Sequence, residues 1–246
     1  MKESRNFKYI GQRPLRPDGI EKVTGKALYG ADINLPGTIH GKILRSPHAH
    51  AKIVSINVDK AKALTGVYAV ITAKDLIQKH EQLYKDLEGT LKSLRYLSNN
   101  VLAEDKVLYS GHAVAAVAAN SPYVALEALS LIKVEYEVLG AVTDVQSSMN
   151  NHAPLLLENP ITASKRDAEF ENTNIVGHCK FSSGDITLGF AKADVIVETE
   201  YKTNTVHQGY IEPQSATALW SKGDRQLKIW CSNQGHFSVR HEVSAI

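Results

Sequence analysis

Cysteine is scarce in this chain of 246 residues, which contains only Cys179 and Cys231 and no Cys-x-x-Cys pair. An iron–sulfur site or a zinc knuckle built from this chain alone is therefore excluded, because each needs several closely spaced thiolates. A disulfide between the two residues is the less expected arrangement, since disulfide scaffolds are short and cysteine-dense. We expect two buried, unreactive thiols.

Long apolar runs and a strong charge of one sign are also missing. The longest apolar stretch, 113–119, is far shorter than the roughly 20 residues that cross a bilayer. The first residues are polar and lack the apolar segment of a secretory signal. The net charge of +2 is too small to attract polyanions. We therefore expect a cytoplasmic protein that binds neither nucleic acid nor membrane.

The composition that is present, 43% hydrophobic and 22% charged, is typical of a globular protein of one or two domains. Residues 9–25 are rich in proline and glycine, which predicts an extended segment, and 79–100 reads as an exposed insertion. The helix that starts at Ser121-Pro122 places Val124, Ala128 and Leu131 on one stripe. Predicted strands lie at 40–45, 52–58, 67–71, 114–119 and 133–138, with short helices at 59–64 and 72–76. The residues of 52–58 alternate between two faces, and the strand-helix-strand series at 114–138 predicts a crossover unit with its helix packed on the sheet.

The pattern changes after an irregular, polar stretch at 144–173, which we interpret as a linker between two folding units. The final helix reaches Ile246 with no cap or stop signal, which suggests an interruption within a domain. The sequence thus predicts an α+β fold with domains at 1–145 and 146–246. In the second half we predict strands at 175–181, 194–203, 215–220 and 227–231, with helices at 186–193 and from 236.

The residues alone do not specify a reaction. Residues 19–27 have five residues between the glycines and no hydroxyl at Ala27, so they do not match a phosphate-binding loop. His48 and His50 could share a face and bind a metal, but a histidine hydrogen-bonded to the turn backbone is the commoner arrangement. Glu212 is a candidate buried carboxylate, with a structural role favoured because no partner acid or base is identifiable.

Five ordered segments carry a resemblance to a known family. They are RPDGIEKVTGKALYGAD at 16–32, LRSPHAHAKI at 44–53, LTGVYAVITAKD at 64–75, GHAVAAVAA at 111–119 and VEYEVL at 134–139. Together they resemble the large subunit of molybdenum hydroxylases of the xanthine dehydrogenase/aldehyde oxidase type, and the carbon monoxide dehydrogenase large subunit is similar too. The resemblance implies a hammerhead α/β domain with an extended amino-terminal segment over 1–145.

Two later segments, HQGYIEP at 207–213 and WCSNQG at 230–235, resemble the start of the molybdopterin-binding region and imply that 146–246 is a truncated beginning of that domain. In the family the glutamine of the second segment donates a hydrogen bond toward an oxo group on molybdenum, which maps onto Gln234. An amide suits this role because it donates without adding a charge. The alternative is that Gln234 merely ends a strand.

The resemblance implies oxidative hydroxylation of an aldehyde or heteroaromatic carbon, with water as the oxygen source and a molybdenum–molybdopterin cofactor. It also implies iron–sulfur clusters and FAD on partner subunits, while the base glutamate and the substrate-positioning residues belong to the remaining part of the large subunit. No catalytic residue is assigned here. We expect the chain to be inactive alone and to self-associate as a homo-oligomer; the alternative is a non-catalytic hammerhead module for interaction or assembly.

Overall fold

The computed structural model describes residues 7–77, 99–157, 172–175 and 180–245. The chain forms two compact units, 1–36 with 203–236 and 37–202 with 237–246. No helix in the described ranges is long and apolar enough to cross a membrane. The predicted insertion at 79–100 and most of the predicted strand at 175–181 lie outside the described residues, and the boundary at 145/146 stays a prediction.

The described chain contains both helices and antiparallel strands, which confirms the mixed α+β class. The strands are β1 (His40–Arg45), β2 (Ala51–Asn57), β3 (Val67–Thr72), β4 (Lys106–Val107), β5 (Ala113–Ala119), β6 (Lys133–Val138), β7 (Ala216–Ser221) and β8 (Gln226–Cys231). The α-helices are α1 (Gly19–Val23), α2 (Asp59–Ala63), α3 (Ala73–Ile77), α4 (Pro122–Leu131), α5 (Val145–Ser148), α6 (Ile186–Lys192) and α7 (His236–Ala245).

The larger unit contains two three-stranded antiparallel sheets, ordered β1-β5-β3 and β4-β2-β6. The apolar strand β5 is central in the first sheet, which is why its residues are buried on both faces. The strand-helix-strand series β5-α4-β6 was expected to be a crossover unit, and that expectation is wrong. β5 and β6 belong to different sheets, so α4 connects two antiparallel sheets instead of two parallel neighbours.

Helix α4 packs on the first sheet and forms the main core. The Ser121 side chain caps the helix by accepting a hydrogen bond from Val124 N at 3.2 Å, and Pro122 occupies the first turn, as the sequence predicted. The predicted stripe is confirmed, with Ala125 added to it. Small side chains let the helix lie close to the strands. The buried residues of this cluster are Ala61, Val70, Ala115, Val117, Ala119, Ala125, Ala128 and Ile132.

The alternation predicted for 52–58 is broken by a β-bulge. The register of β2 against β6 shifts between Ile53 and Ser55, so Ile53 and Ile56 both pack on the core while Val54 is 58% exposed. A strict period of two would have placed Ile53 and Ile56 on opposite faces. The sequence prediction was wrong here because a bulge inserts one residue without changing the composition of the strand.

The smaller unit contains α1 and the hairpin β7-β8, whose register pairs Ala216 with Cys231 and Ser221 with Gln226. The two strands confirm the predictions for 215–220 and 227–231 within a residue. The segment 9–25 is not wholly extended, since it holds the one-turn helix α1. Asp18 lies directly before that helix and pairs with Arg16 at 2.6 Å and Lys22 at 2.9 Å, so these partners hold the pKa of the Asp18 carboxyl far below its usual range.

The strand predicted at 194–203 is absent, because none of the described residues provides a neighbouring ladder for it. Its side chains are exposed, so the alternating β-branched pattern has no sheet to face. The predicted helix at 186–193 is confirmed as α6 and the helix from 236 as α7. The stretch predicted as an irregular linker contains the short helix α5, capped by Asp144.

Candidate functional site

Gln234 lies in the short turn between β8, which ends at Cys231, and α7, which begins at His236. Asn233 closes this turn with both ends of its amide. Its Nδ2 donates to Cys231 O at 3.1 Å, and its Oδ1 accepts from Gly235 N at 3.0 Å. An asparagine side chain that bonds its own backbone two residues away is a common turn device. The backbone on both sides of Gln234 is therefore fixed.

The side chain of Gln234 is exposed, and it makes no hydrogen bond within the described part of the chain. Its primary amide is therefore available to donate to a ligand. In the same described ranges there is no group of three or more His, Cys, Asp or Glu side chains that could hold a metal ion. A neutral amide can donate a hydrogen bond to a ligand of a bound metal complex without adding a charge.

Ser232, two residues before Gln234, links the hairpin to the segment that precedes β7. Its N–H donates to Ser215 O at 3.1 Å and extends the β7-β8 ladder by one bond. Its Oγ lies 3.1 Å from Glu212 Oε1 and 3.0 Å from Pro213 O, so the hydroxyl donates to one of these acceptors. Glu212 is exposed, and the expectation of a buried carboxylate is wrong. The favoured structural role of Glu212 agrees with this contact.

Gly30 approaches the same end of the hairpin from the amino-terminal segment. A Cβ added at Gly30 would lie 2.8 Å from Ser215 Oγ, 3.1 Å from Ser232 Oγ and 3.2 Å from Ser232 N. The Ser215 hydroxyl is buried and has no hydrogen-bond partner among the described residues. Sequence reasoning assigned no role to Gly30, Ser215 or Ser232. The only signal was the YGAD run within the first family segment, and that run does not reveal its neighbours.

The two histidines weighed as metal ligands have separate structural contacts. His50 is buried and donates from Nδ1 to Gly140 O at 2.7 Å, since a carbonyl can only accept. His48 is half-buried and packs edge-on against the Tyr136 ring, with 5.0 Å between ring centroids. The turn backbone at His48 is bound by the Ser46 hydroxyl at 3.0 Å. The hydrogen bond of His50 to the backbone is the arrangement favoured from the sequence, although Gly140 lies outside that turn.

Cys231 is a free, half-buried thiol at the end of β8. Asn233 Nδ2 lies 3.4 Å from its sulfur and forms a weak hydrogen bond there. The expectation of a fully buried thiol is therefore wrong for Cys231. Cys179 lies outside the described residues.

Comparison with known proteins identifies the family. The model for the aldehyde oxidase and xanthine dehydrogenase a/b hammerhead domain matches residues 24–140, and the molybdopterin cofactor-binding domain model matches residues 168–246. The chain belongs to the xanthine dehydrogenase/aldehyde oxidase family of molybdenum hydroxylases. The two matches follow one another along the chain in the predicted order and place Gln234 within the molybdopterin-binding match.

Relatives and solved structures agree with this assignment. The carbon monoxide dehydrogenase large chain of Afipia carboxidovorans is 34% identical over 240 residues, which cover 96% of this chain and 29% of the relative. A crystal structure of Cu,Mo-CO dehydrogenase superposes with a TM-score of 0.73 at 33% identity, over 95% of this chain and 29% of that one. The nicotinate dehydrogenase large molybdopterin subunit of Eubacterium barkeri is 28% identical over 98% of this chain and 51% of the relative. The chain thus spans between about a third and a half of the length of these relatives.

Proposed function

We propose that this chain supplies the hammerhead domain and the first part of the molybdopterin-binding domain of a molybdenum hydroxylase. The complete enzyme hydroxylates an aldehyde or heteroaromatic carbon with water as the oxygen source. The chain is inactive alone and acts with polypeptide that provides the rest of the large subunit and with subunits that carry iron–sulfur clusters and FAD. Within this chain, Gln234 is the residue that contacts the cofactor.

The observation that carries the proposal is the exposed amide of Gln234 on a fixed turn. Asn233 and Gly235 hold the backbone on either side, so only the side chain of Gln234 has to be ordered when a ligand arrives. When bound, the molybdenum–molybdopterin cofactor supplies the two-electron acceptor for the hydroxylation. Gln234 contributes a neutral hydrogen-bond donor, which orients a group on the cofactor without changing the net charge at the metal.

The lengths of the relatives support a large subunit completed by further polypeptide. This chain covers 29% of the carbon monoxide dehydrogenase large chain but 51% of the nicotinate dehydrogenase large molybdopterin subunit. The large molybdopterin subunit of the nicotinate dehydrogenase is therefore much shorter than the carbon monoxide dehydrogenase large chain. The exposed hairpin β7-β8 is the surface that the remaining polypeptide would cover.

Coexpression tests the proposal. This chain is produced with the polypeptide that supplies the rest of the relatives' length and with the iron–sulfur and flavin subunits, and the complex is assayed for molybdenum, pterin and oxidation of aldehydes and N-heteroaromatics. We expect metal and pterin in about equal amounts, and a Gln234→Ala variant with kcat lowered roughly 10- to 100-fold. Gln226→Ala, at the exposed start of β8, is the matched control and should retain activity.

The alternative function gives a different result in the same experiment. A stable complex that contains neither molybdenum nor pterin would overturn the proposed enzyme and support an assembly module. A complex with full cofactor content in which Gln234→Ala and Gln226→Ala behave alike would instead retain the enzyme and remove Gln234 from its site.

A further inference from the structure

We propose that Gly30 is a positioning residue for the cofactor site, because the turn that contains it braces the end of the hairpin from which Gln234 projects. This inference rests on the proposed function of Gln234. It extends that function to the amino-terminal segment, in which the sequence predicted no site residue.

The brace begins with a closed turn at residues Gly30–Asp32, a single turn of 3-10 helix. Tyr29 N donates to Asp32 Oδ2 at 2.9 Å, and Asp32 N donates back to Tyr29 O at 2.9 Å. This reciprocal pair fixes the turn locally. The turn contacts both β7 and β8, so it lies against the hairpin as a preformed unit.

The contact leaves no room for a side chain at Gly30. Of the three atoms within reach of an added Cβ, two are hydroxyl oxygens that can rotate, but Ser232 N, at 3.2 Å, is backbone. That nitrogen cannot move without disturbing its hydrogen bond to Ser215 O. Gly30 thus allows a close backbone approach that an added Cβ would push back by a few tenths of an ångström.

The position of Ser232 determines where the turn that contains Gln234 begins. Ser232 is held by Ser215 on one side and by Glu212 or Pro213 on the other. The next residue, Asn233, forms the turn that flanks Gln234. A displacement of Ser232 by a few tenths of an ångström therefore moves the start of this turn. Misplacement on the ångström scale costs catalysis roughly 100-fold, so a smaller displacement should still be measurable.

The first arm of the test uses this chain without cofactor and reads the alkylation rate of the Cys231 thiol by mass spectrometry of its peptide. Gly30→Ala should raise that rate roughly threefold or more, because displacing the hairpin end exposes the half-buried thiol. Gly41→Ala is the control, since an added Cβ there meets nothing within 4 Å. An unchanged rate in Gly30→Ala would overturn the brace.

A second substitution distinguishes the effect of the contact at Gly30 from a general loss of stability. Ser215→Ala removes the nearest oxygen and should itself be close to neutral, because that hydroxyl is buried without a partner in the described ranges. The double variant Gly30→Ala/Ser215→Ala should therefore recover part of the wild-type alkylation rate, because the contact of the added Cβ with Ser232 N remains. Ser232→Ala, which keeps the backbone but loses the bond to Glu212 or Pro213, is a milder probe and should raise the rate even if Gly30→Ala does not fold. Failure of both the rescue and this milder variant would contradict the proposal.

The second arm uses the completed complex. Gly30→Ala should lower kcat roughly tenfold with little change in KM, and the double variant should recover part of this loss. Gly30→Ala could raise the alkylation rate while neither Gly30→Ala nor Gln234→Ala changes kcat. In that case the contact at Gly30 exists, but Gln234 does not act on the cofactor, and only the proposed function is overturned. If Gln234→Ala lowers kcat and Gly30→Ala does not, the positioning role of Gly30 is overturned while the proposed function stands.

Discussion

The first half of the described chain contains a core, and the second half presents mainly surface. Among the described residues, those that are fully buried all lie between Ser46 and Ile132, in and around the two sheets of the hammerhead region. Among described residues from 180 onward none is fully buried, although the stretch includes apolar side chains such as Val197, Ile211 and Trp220. The first region can gain stability from its own packing, whereas the second needs another layer over its hairpin.

Placing one charge in each region tests this difference in packing and should give the largest effect. Val117 is 1% exposed in β5, and Val197 is 82% exposed. Val117→Asp should lower the free energy of unfolding by about 4 kcal/mol or more, since it buries an unpaired charge. Val197→Asp should change it by no more than about 0.5 kcal/mol. Urea unfolding followed by circular dichroism measures both, and similar losses in the two variants would contradict the comparison.

A buried histidine gives the hammerhead core a pH dependence. His112 is 1% exposed; its Nδ1 accepts from Leu108 N at 3.2 Å, which leaves the proton on Nε2 to donate to Asn99 O at 3.0 Å. Burial lowers the pKa of His112 below the ordinary value of 6.5. The unfolded chain therefore takes up a proton first as the pH falls. The stabilisation that neutral His112 contributes is fully present above pH 6.5. It is lost as the pH falls from there toward the pKa of His112 in the folded chain.

Replacing His112 by glutamine should remove this part of the pH dependence and cost about 1 to 3 kcal/mol through lost buried hydrogen bonds. The measurement is the free energy of unfolding on both sides of pH 6.5, the ordinary pKa of histidine. His40→Gln, in the exposed part of β1, is the control and should retain the pH dependence. An unaltered dependence in His112→Gln would show that another group is responsible.

The smallest expected effect compares two helix caps. Ser121 accepts from Val124 N at 3.2 Å, and Asp185 accepts from Leu188 N at 2.9 Å. Ser121→Ala should lower the free energy of unfolding by about 1 kcal/mol, since α4 belongs to the core. Asp185→Ala should loosen α6 locally without changing the main transition, because α6 has no buried residue. Equal shifts of the main transition would mean that α6 unfolds together with the hammerhead core.

The elements that the sequence predicted well are those with local signals. The Ser121-Pro122 start of α4, the apolar run of β5 and the two strands of the hairpin each depend on neighbouring residues. The bulge between Ile53 and Ser55, the short strand β4 and the separation of β5 and β6 into two sheets depend on partners distant in sequence. The predicted strand at 194–203 has a strand pattern but no ladder among the described residues.

The candidate site likewise combines one residue with a local sequence signal and contacts that depend on residues distant in sequence. Gln234 was identified because it stands in a recognisable family segment. Its supporting contacts involve Gly30, Glu212 and Ser215, and the first of these lies about two hundred positions earlier in the chain. Nothing in the local sequence of Gly30 indicates which atoms lie next to it. A role that depends on the absence of a side chain is visible only when the neighbours are in place.

Amide hydrogen exchange, compared between this chain alone and the completed large subunit, tests the central claim most directly. We predict that the amides of β5 exchange slowly in both samples. The amides of the hairpin β7-β8 and of the turn at Gln234 should exchange rapidly in the chain alone and become protected only in the complete subunit. Rapid exchange at the hairpin in the complete, cofactor-loaded subunit would contradict the account, because Gln234 would then lie on an open surface.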